Sequence, residues 1–510
     1  MLRRGGLAVV ACLALLAPVA PAIAATPATT PATSPSSFPS SAAPARPAVA
    51  LTLRPCPTDL TGWRCSTLTV PRDWFGTSDL TARIPLAVMP ARGERIGALT
   101  FNPGGPGGSG IEAASRWYAA LPGRMKDSFD FVAWDPRGVG GSTPKLTGCR
   151  TKSTRAYYDR PATGPVDWLA FTRDVASSTG PELQRCWEAN PDVAPYLGTD
   201  YVVEDLEAMR VALGYDQWSF LGMSYGSRIG YRYARAYPAS LRALVMDGAW
   251  DPNATLATWA AADSWAFTYA QSVFSSLFDD RLAARFARVL KALNARTVVI
   301  DGRTRTRWDL TPALLGDISS QSAYDDIRAM IDTTYDALFR TTSPAQERRA
   351  GLAFTRLARD AEKTDPYTLN MVMCADMSGR PTLEETARYA ESAYVNSSVL
   401  ASLVTVIKGT TCEGLPDAIE RPYPPIEEEI ALVTPPVVLN ALGDTRTPWL
   451  GARTMASYFT GSSFITYNGT QHVIYRKLRS ACLNVPVTTY FMTLTVPAST
   501  TCTYAPLRQP

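Results

Sequence analysis

The chain has one histidine in 510 residues. A histidine-built zinc centre needs two or three imidazoles, so metallohydrolase chemistry of that kind is excluded and no metal or other cofactor is expected. Any imidazole proton carrier must be His472. An excess of one charge is also lacking. The 50 Lys+Arg against 46 Asp+Glu leave +4, too little over this length to mark nucleic acid as a partner. No apolar run reaches the roughly 20 residues that cross a bilayer. With 46% apolar and 19% charged residues, the composition is globular, which excludes a wholly disordered chain.

The first residues read as an export signal. Arg3 and Arg4 precede an apolar run over 7–19, and Ala22-Ile23-Ala24 supplies the small-x-small cleavage pattern. Residues 1–24 are therefore expected to be a signal peptide. A transmembrane anchor would need a longer run, and lipid attachment at Cys12 would need the run to end there. Residues 25–50 are almost all Ala, Pro, Thr and Ser. They bury too little to offset chain entropy and read as a linker or pro-segment. The mature protein is expected to be secreted or held at the cell surface, with no stable membrane insertion. Cleavage leaves eight cysteines, at 56, 65, 149, 186, 374, 412, 482 and 502. An even number in an exported chain implies disulfides, and spacing alone does not choose among the pairings. Sequential pairing, 56–65, 149–186, 374–412 and 482–502, is the working expectation.

Strand and helix patterns alternate over the first half of the mature chain. Apolar runs at 84–89, 98–102, 129–134, 217–221 and 241–246 read as strands, and 110–121, 202–213 and 225–237 as helices. Gly214 is a plausible helix stop. The pattern resumes with strands at 436–442 and 463–467 and a helix at 449–459. Continuous apolar strands alternating with helices predict an α/β fold with a mostly parallel sheet covered on both faces. Between them the periodicity is helical, over 259–278, 280–294, 323–339 and 345–360, with a Thr382/Glu385 capping box opening a further helix. The expected division is an α/β core from 51–252 and 430–510, interrupted by a helical cap over 253–429.

Gly222-Met223-Ser224-Tyr225-Gly226 is a G-x-S-x-G between a strand and a helix, the context a nucleophile elbow requires. Such a turn strains the serine backbone and exposes its hydroxyl at a helix N-terminus. A serine nucleophile needs a base, and the base an orienting carboxylate. In elbow proteins the order is Ser, acid, His. His472 follows the last expected strand, and Asp444 lies in the loop after the strand before it. The glycine loop Asn102-Pro103-Gly104-Gly105-Pro106-Gly107-Gly108-Ser109-Gly110 follows a strand and lacks the Walker and dinucleotide spacings. It suits an oxyanion hole, with the N–H groups of Gly105 and Tyr225 as donors.

These motifs, with Asp135-Pro136-Arg137-Gly138-Val139-Gly140-Gly141-Ser142, Asp247-Gly248, Gly443-Asp444, Thr447-Pro448 and the Cys482/Cys502 tail, resemble the secreted tripeptidyl aminopeptidase-like α/β-hydrolases, relatives of the prolyl aminopeptidases. The resemblance runs from about Cys56 to Cys502. It implies an α/β-hydrolase fold with a helical cap, and a serine exopeptidase acting on peptides with free N-termini through Ser224, Asp444 and His472. Relatives often carry glycine after the histidine, where this chain has Val473. The prolyl aminopeptidases carry His-Gly-Gly-Pro-Gly at the oxyanion loop, where this chain has Asn102-Pro103.

An aminopeptidase must hold an ammonium group, which calls for a carboxylate away from bulk water. Asp376, beside Cys374, is the first candidate, with Glu384 and Glu385 behind it; Asp135 reads instead as a brace for its loop. The main alternative is a secreted carboxylesterase of the same fold, and a non-enzymatic binding protein on the same scaffold is a second.

Overall fold

The computed structural model describes residues 50–57, 60–76, 78–149, 160–316, 318–359, 366–396, 398–417 and 429–504, so the expected signal peptide and nearly all of the expected linker lie outside it. The described residues fall in one compact unit. Strands β1 (Arg54–Pro55), β2 (Arg64–Pro71), β3 (Thr81–Met89), β4 (Gly97–Asn102), β5 (Phe129–Trp134), β6 (Trp218–Met223) and β7 (Leu241–Asp247) come first. A small antiparallel hairpin of β8 (Val298–Ile300) and β9 (Arg303–Arg305) follows, then β10 (Val437–Ala441), β11 (Ser463–Tyr467) and β12 (Thr500–Cys502). The main sheet runs β1-β2-β3-β5-β4-β6-β7-β10-β11-β12. Pairing is antiparallel from β1 to β5 and parallel from β5 onward.

The period of two along each strand divides its side chains between two cores. Leu86 and Val88 pack with Trp134, Phe220 and Met246 on one face. Ala87 packs with Leu99, Phe101, Phe131 and Val245 on the other. Every residue of β5 and β6 is buried, which explains why these strands read as unbroken apolar runs and not as alternating ones. The parallel strands all end at one edge of the sheet, and the loops leaving β4, β6, β10 and β11 carry the motifs singled out above.

Between β7 and β10 the chain is mostly helical. Leu256–Ala261, Asp263–Ser276, Asp280–Leu293, Arg307–Leu315, Tyr324–Phe339, Pro344–Arg359, Pro366–Asp376, Leu383–Asn396 and Val399–Gly409 are helices; most of them share a core built on Phe274, Phe286, Leu314 and Ile331, while Leu256 and Met371 pack into the core of the main sheet. The run 259–278 divides into two helices joined at Ala262. Thr382 and Glu385 exchange the reciprocal bonds of a capping box. Helices Trp168–Glu188 and Ala481–Thr493 escaped the sequence reading because each carries an internal proline, Pro181 and Pro486, and proline reads as a helix breaker. The four disulfides pair sequentially: 56–65, 149–186, 374–412 and 482–502. Among the described residues no helix is long and apolar enough to cross a membrane.

Candidate active site

Strand β6 ends at Met223, and helix Tyr225–Ala236 begins one residue later. Ser224 makes the whole turn, with φ of 54°, a conformation that costs an L-residue energy unless its surroundings hold it. They do. Ser224 N–H donates to the Asp247 carbonyl at 2.8 Å and its own carbonyl accepts Ser227 N–H at 2.9 Å. Gly226 must lack a side chain, because a Cβ there would lie 2.7 Å from the Asn102 carbonyl oxygen. Among the described residues the Ser224 hydroxyl has no hydrogen-bond partner; contacts of a catalytic serine commonly tighten only around substrate.

The glycine loop lies directly against this serine. A Cβ on Gly104 would sit 2.7 Å from both the Met223 carbonyl oxygen and Ser224 Cβ, and the residue takes φ of 98°. Asn102 Oδ1 accepts Gly104 N–H at 2.9 Å and sets the turn. Neither the Gly105 nor the Tyr225 N–H has an acceptor among the described residues, so both remain able to donate. Asp135 holds the loop from behind: its carboxylate accepts the Ser109 hydroxyl and the N–H groups of Ile111 and Gly141. Arg137 turns away from it and forms a buried two-pronged pair with Asp205 at 2.7 and 2.6 Å.

Asp444 and His472 meet across the edge of the sheet. His472 Nδ1 lies 2.8 Å from Asp444 Oδ2, with the carboxylate fully buried. The Arg446 and Thr447 N–H groups donate to Oδ1, and the Thr447 hydroxyl donates to Oδ2 at 3.0 Å. These bonds fix the carboxylate where it can hold one imidazole orientation. The ring packs on Gly248, where a Cβ would lie 3.2 Å from Cε1. Gly248 follows Asp247, the residue whose carbonyl holds Ser224. The three sequence-selected side chains are thus brought to neighbouring strand ends.

Sequence reasoning did not assign a role to Asp247. It is fully buried, and its carboxylate accepts Ile474 N–H at 2.9 Å and Tyr475 N–H at 2.7 Å. Burial pushes its pKa up to about 7, against the pull of those two N–H bonds. Burial beside it also lowers the Lys477 pKa. Between His472 and these donors lies Val473 at φ of 59°, a left-handed backbone that glycine adopts more readily than valine. The only sequence signal for Asp247 was the Asp-Gly pair of the family resemblance.

Asp376 is buried, but both its oxygens are taken. Arg228 Nε approaches Oδ2 at 3.1 Å and Arg232 Nη1 approaches Oδ1 at 3.3 Å. Thr199 donates its N–H to Oδ1 and its hydroxyl to Oδ2, and that hydroxyl also bonds the Tyr225 phenol. Burial beside this carboxylate drives the phenol pKa well above its ordinary range. This is a brace beneath the residue after Ser224 and not an open seat for an ammonium group. Two arginines one helical turn apart were not expected to converge on it. Glu384 lies exposed beside Arg173, and Glu385 is spent on its capping box. No cluster of metal-ligating side chains occurs among the described residues.

A sequence profile of the alpha/beta hydrolase fold matches residues 97–475. The serine protease Hip1 of Mycobacterium tuberculosis is 30% identical over 471 residues, covering 86% of each chain. The tripeptidyl aminopeptidase of Streptomyces lividans is 25% identical over 464 residues, 84% of this chain and 81% of that protein. Carboxylesterase B of Mycobacterium tuberculosis is 30% identical over 196 residues, 37% of this chain and 36% of that protein.

Proposed function

We propose that this chain, which belongs to the α/β-hydrolase fold family and is a serine hydrolase, is an exported exopeptidase that cleaves peptides from a free N-terminus. The relatives named serine protease and tripeptidyl aminopeptidase support a serine peptidase of this fold. Four disulfides fit an oxidising compartment. The observation that carries its serine-hydrolase part is the buried 2.8 Å pairing of His472 with Asp444 at the sheet edge that also carries the strained Ser224; the exopeptidase part leans on the similarity to the tripeptidyl aminopeptidase.

In this reading Ser224 Oγ attacks the scissile carbonyl while His472 Nε2 takes the hydroxyl proton. Asp444, bonded to Nδ1, holds the tautomer and stabilises the imidazolium. The carbonyl oxygen becomes an oxyanion and accepts from the Gly105 and Tyr225 N–H groups. Collapse of the tetrahedral intermediate breaks the C–N bond, and the leaving amine takes the proton from His472. Water, deprotonated by His472, then hydrolyses the acyl-enzyme and returns the serine proton. The helical block between β7 and β10 acts as a cap that restricts access to the site. The carboxylate that seats the substrate ammonium is one other than Asp376.

Mass spectrometry of products from a panel of free and N-acetylated peptides tests this. Release of short N-terminal fragments from free peptides alone is expected; equal cleavage of acetylated peptides would remove the exopeptidase assignment. A carboxylesterase reading is favoured by the similarity to carboxylesterase B over 196 residues. It predicts hydrolysis of small esters at rates that N-acetylation leaves unchanged, where an aminopeptidase loses activity on the acetylated substrate.

A further inference from the structure

The helical block does more than overhang the site. The segment between helices Arg307–Leu315 and Tyr324–Phe339 is laid across both loops that carry the acid and the base. The Ser319 carbonyl accepts the His472 N–H at 2.8 Å. The Ser319 hydroxyl accepts the Thr445 N–H at 3.2 Å and exchanges a bond with the Thr445 hydroxyl at 2.7 Å. Thr445 is the residue after Asp444. One residue of the inserted block therefore fixes the backbone of the histidine and the backbone next to the carboxylate.

Its neighbours repeat the pattern. The Ile318 carbonyl accepts the Thr470 hydroxyl, and the Tyr324 phenol bonds the same hydroxyl at 2.6 Å and accepts Thr470 N–H at 3.1 Å. Gln321 N–H donates to Gln471 Oε1 at 2.8 Å, and the Tyr467 phenol donates to Gln321 Oε1. Ser319, Gln321, Tyr324, Thr470 and Gln471 are all buried. Buried polar groups cost free energy unless paired, so these bonds specify one arrangement of the segment on the two loops.

The geometry points to Ser319 as a positioning residue for the reaction, clamping the Asp444 and His472 loops in the register that lets the imidazole and carboxylate serve Ser224. The inference rests on the Ser224–Asp444–His472 reading and adds that this part of the cap belongs to the catalytic apparatus. It follows that the segment 318–324 stays docked during turnover, because lifting it would release both loops.

The test compares the wild-type chain with Ser319→Ala and Tyr324→Phe. Three quantities are read: the rate at which a fluorophosphonate probe labels Ser224, kcat and KM on a cleaved peptide, and the thermal midpoint. Misplacing a reacting group by a fraction of an ångström slows chemistry without touching remote binding, so labelling and kcat should each fall by about tenfold while KM stays within about twofold. Labelling and kcat within about twofold of wild type in the variants would overturn the inference, whatever the midpoint does. Should Ser319→Ala fail to fold, Thr445→Val, which removes the hydroxyl that Ser319 Oγ bonds and keeps the side-chain shape, decides in its place. Absence of labelling in the wild-type chain would overturn the underlying triad reading, a result distinct from equal labelling in all three.

Discussion

The backbone N–H of Tyr475 donates to the Asp247 carboxylate at 2.7 Å, and through this bond the last residue of β7 holds the turn that carries the only histidine. The same residue's carbonyl takes the Ser224 N–H. Nucleophile turn and histidine turn thus hang on one buried aspartate.

That aspartate makes stability depend on pH. Its carboxyl is raised from 3.8 to about 7 by burial. Between those values the folded chain keeps a proton that the unfolded chain has lost. The contribution is therefore fully present below about pH 4 and is lost as pH rises toward about 7. Asp263, raised to about 6 for the same reason beside Lys408, adds to the trend. Thermal midpoints at pH 5 and pH 7.5 should show wild type losing stability with rising pH, and Asp247→Asn losing less of it. An unchanged slope in the variant would show that Asp247 is ionised throughout.

Ser224→Ala removes the proposed nucleophile and leaves a helix start that tolerates alanine. Turnover should fall by roughly four to six orders of magnitude, while circular dichroism and the thermal midpoint stay near wild type. Residual hydrolysis above about a hundredth of the wild-type rate would sink the assignment.

Asp376→Ala separates a brace from an amine seat. Leaving Arg228 and Arg232 without this carboxylate should destabilise the fold by about 3–5 kcal/mol, measured by denaturant unfolding. The preference for free over acetylated N-termini, taken as a ratio of kcat/KM values, should not move. Collapse of that ratio would return Asp376 to the substrate.

Gly104→Ala puts a Cβ 2.7 Å from Ser224 Cβ at a residue with φ of 98°. The loop must shift, and the Gly105 N–H shifts with it. Loss of one oxyanion donor costs about 100- to 1000-fold in kcat, and KM should change far less. A variant with wild-type kcat would place the oxyanion hole elsewhere.

Much of this was legible in the chain because the signals are local. Continuous apolar runs and glycine turns marked β4 to β7, β10 and β11, and strand–turn–helix context marked Ser224. A lone histidine left no choice of base, and the order of acid before histidine selected Asp444. Helices Trp168–Glu188 and Ala481–Thr493 stayed hidden because their prolines point locally the other way and tertiary packing overrides them. What only the folded chain decided are relations between residues far apart in sequence. Arg228 and Arg232 close on Asp376 from across more than a hundred residues, Asp247 reaches the histidine turn, and Ser319 spans two loops. No periodicity records such contacts, because which buried donor meets which acceptor is settled only when the sheet edge and the helical block are brought together and each polar group must find a partner out of water.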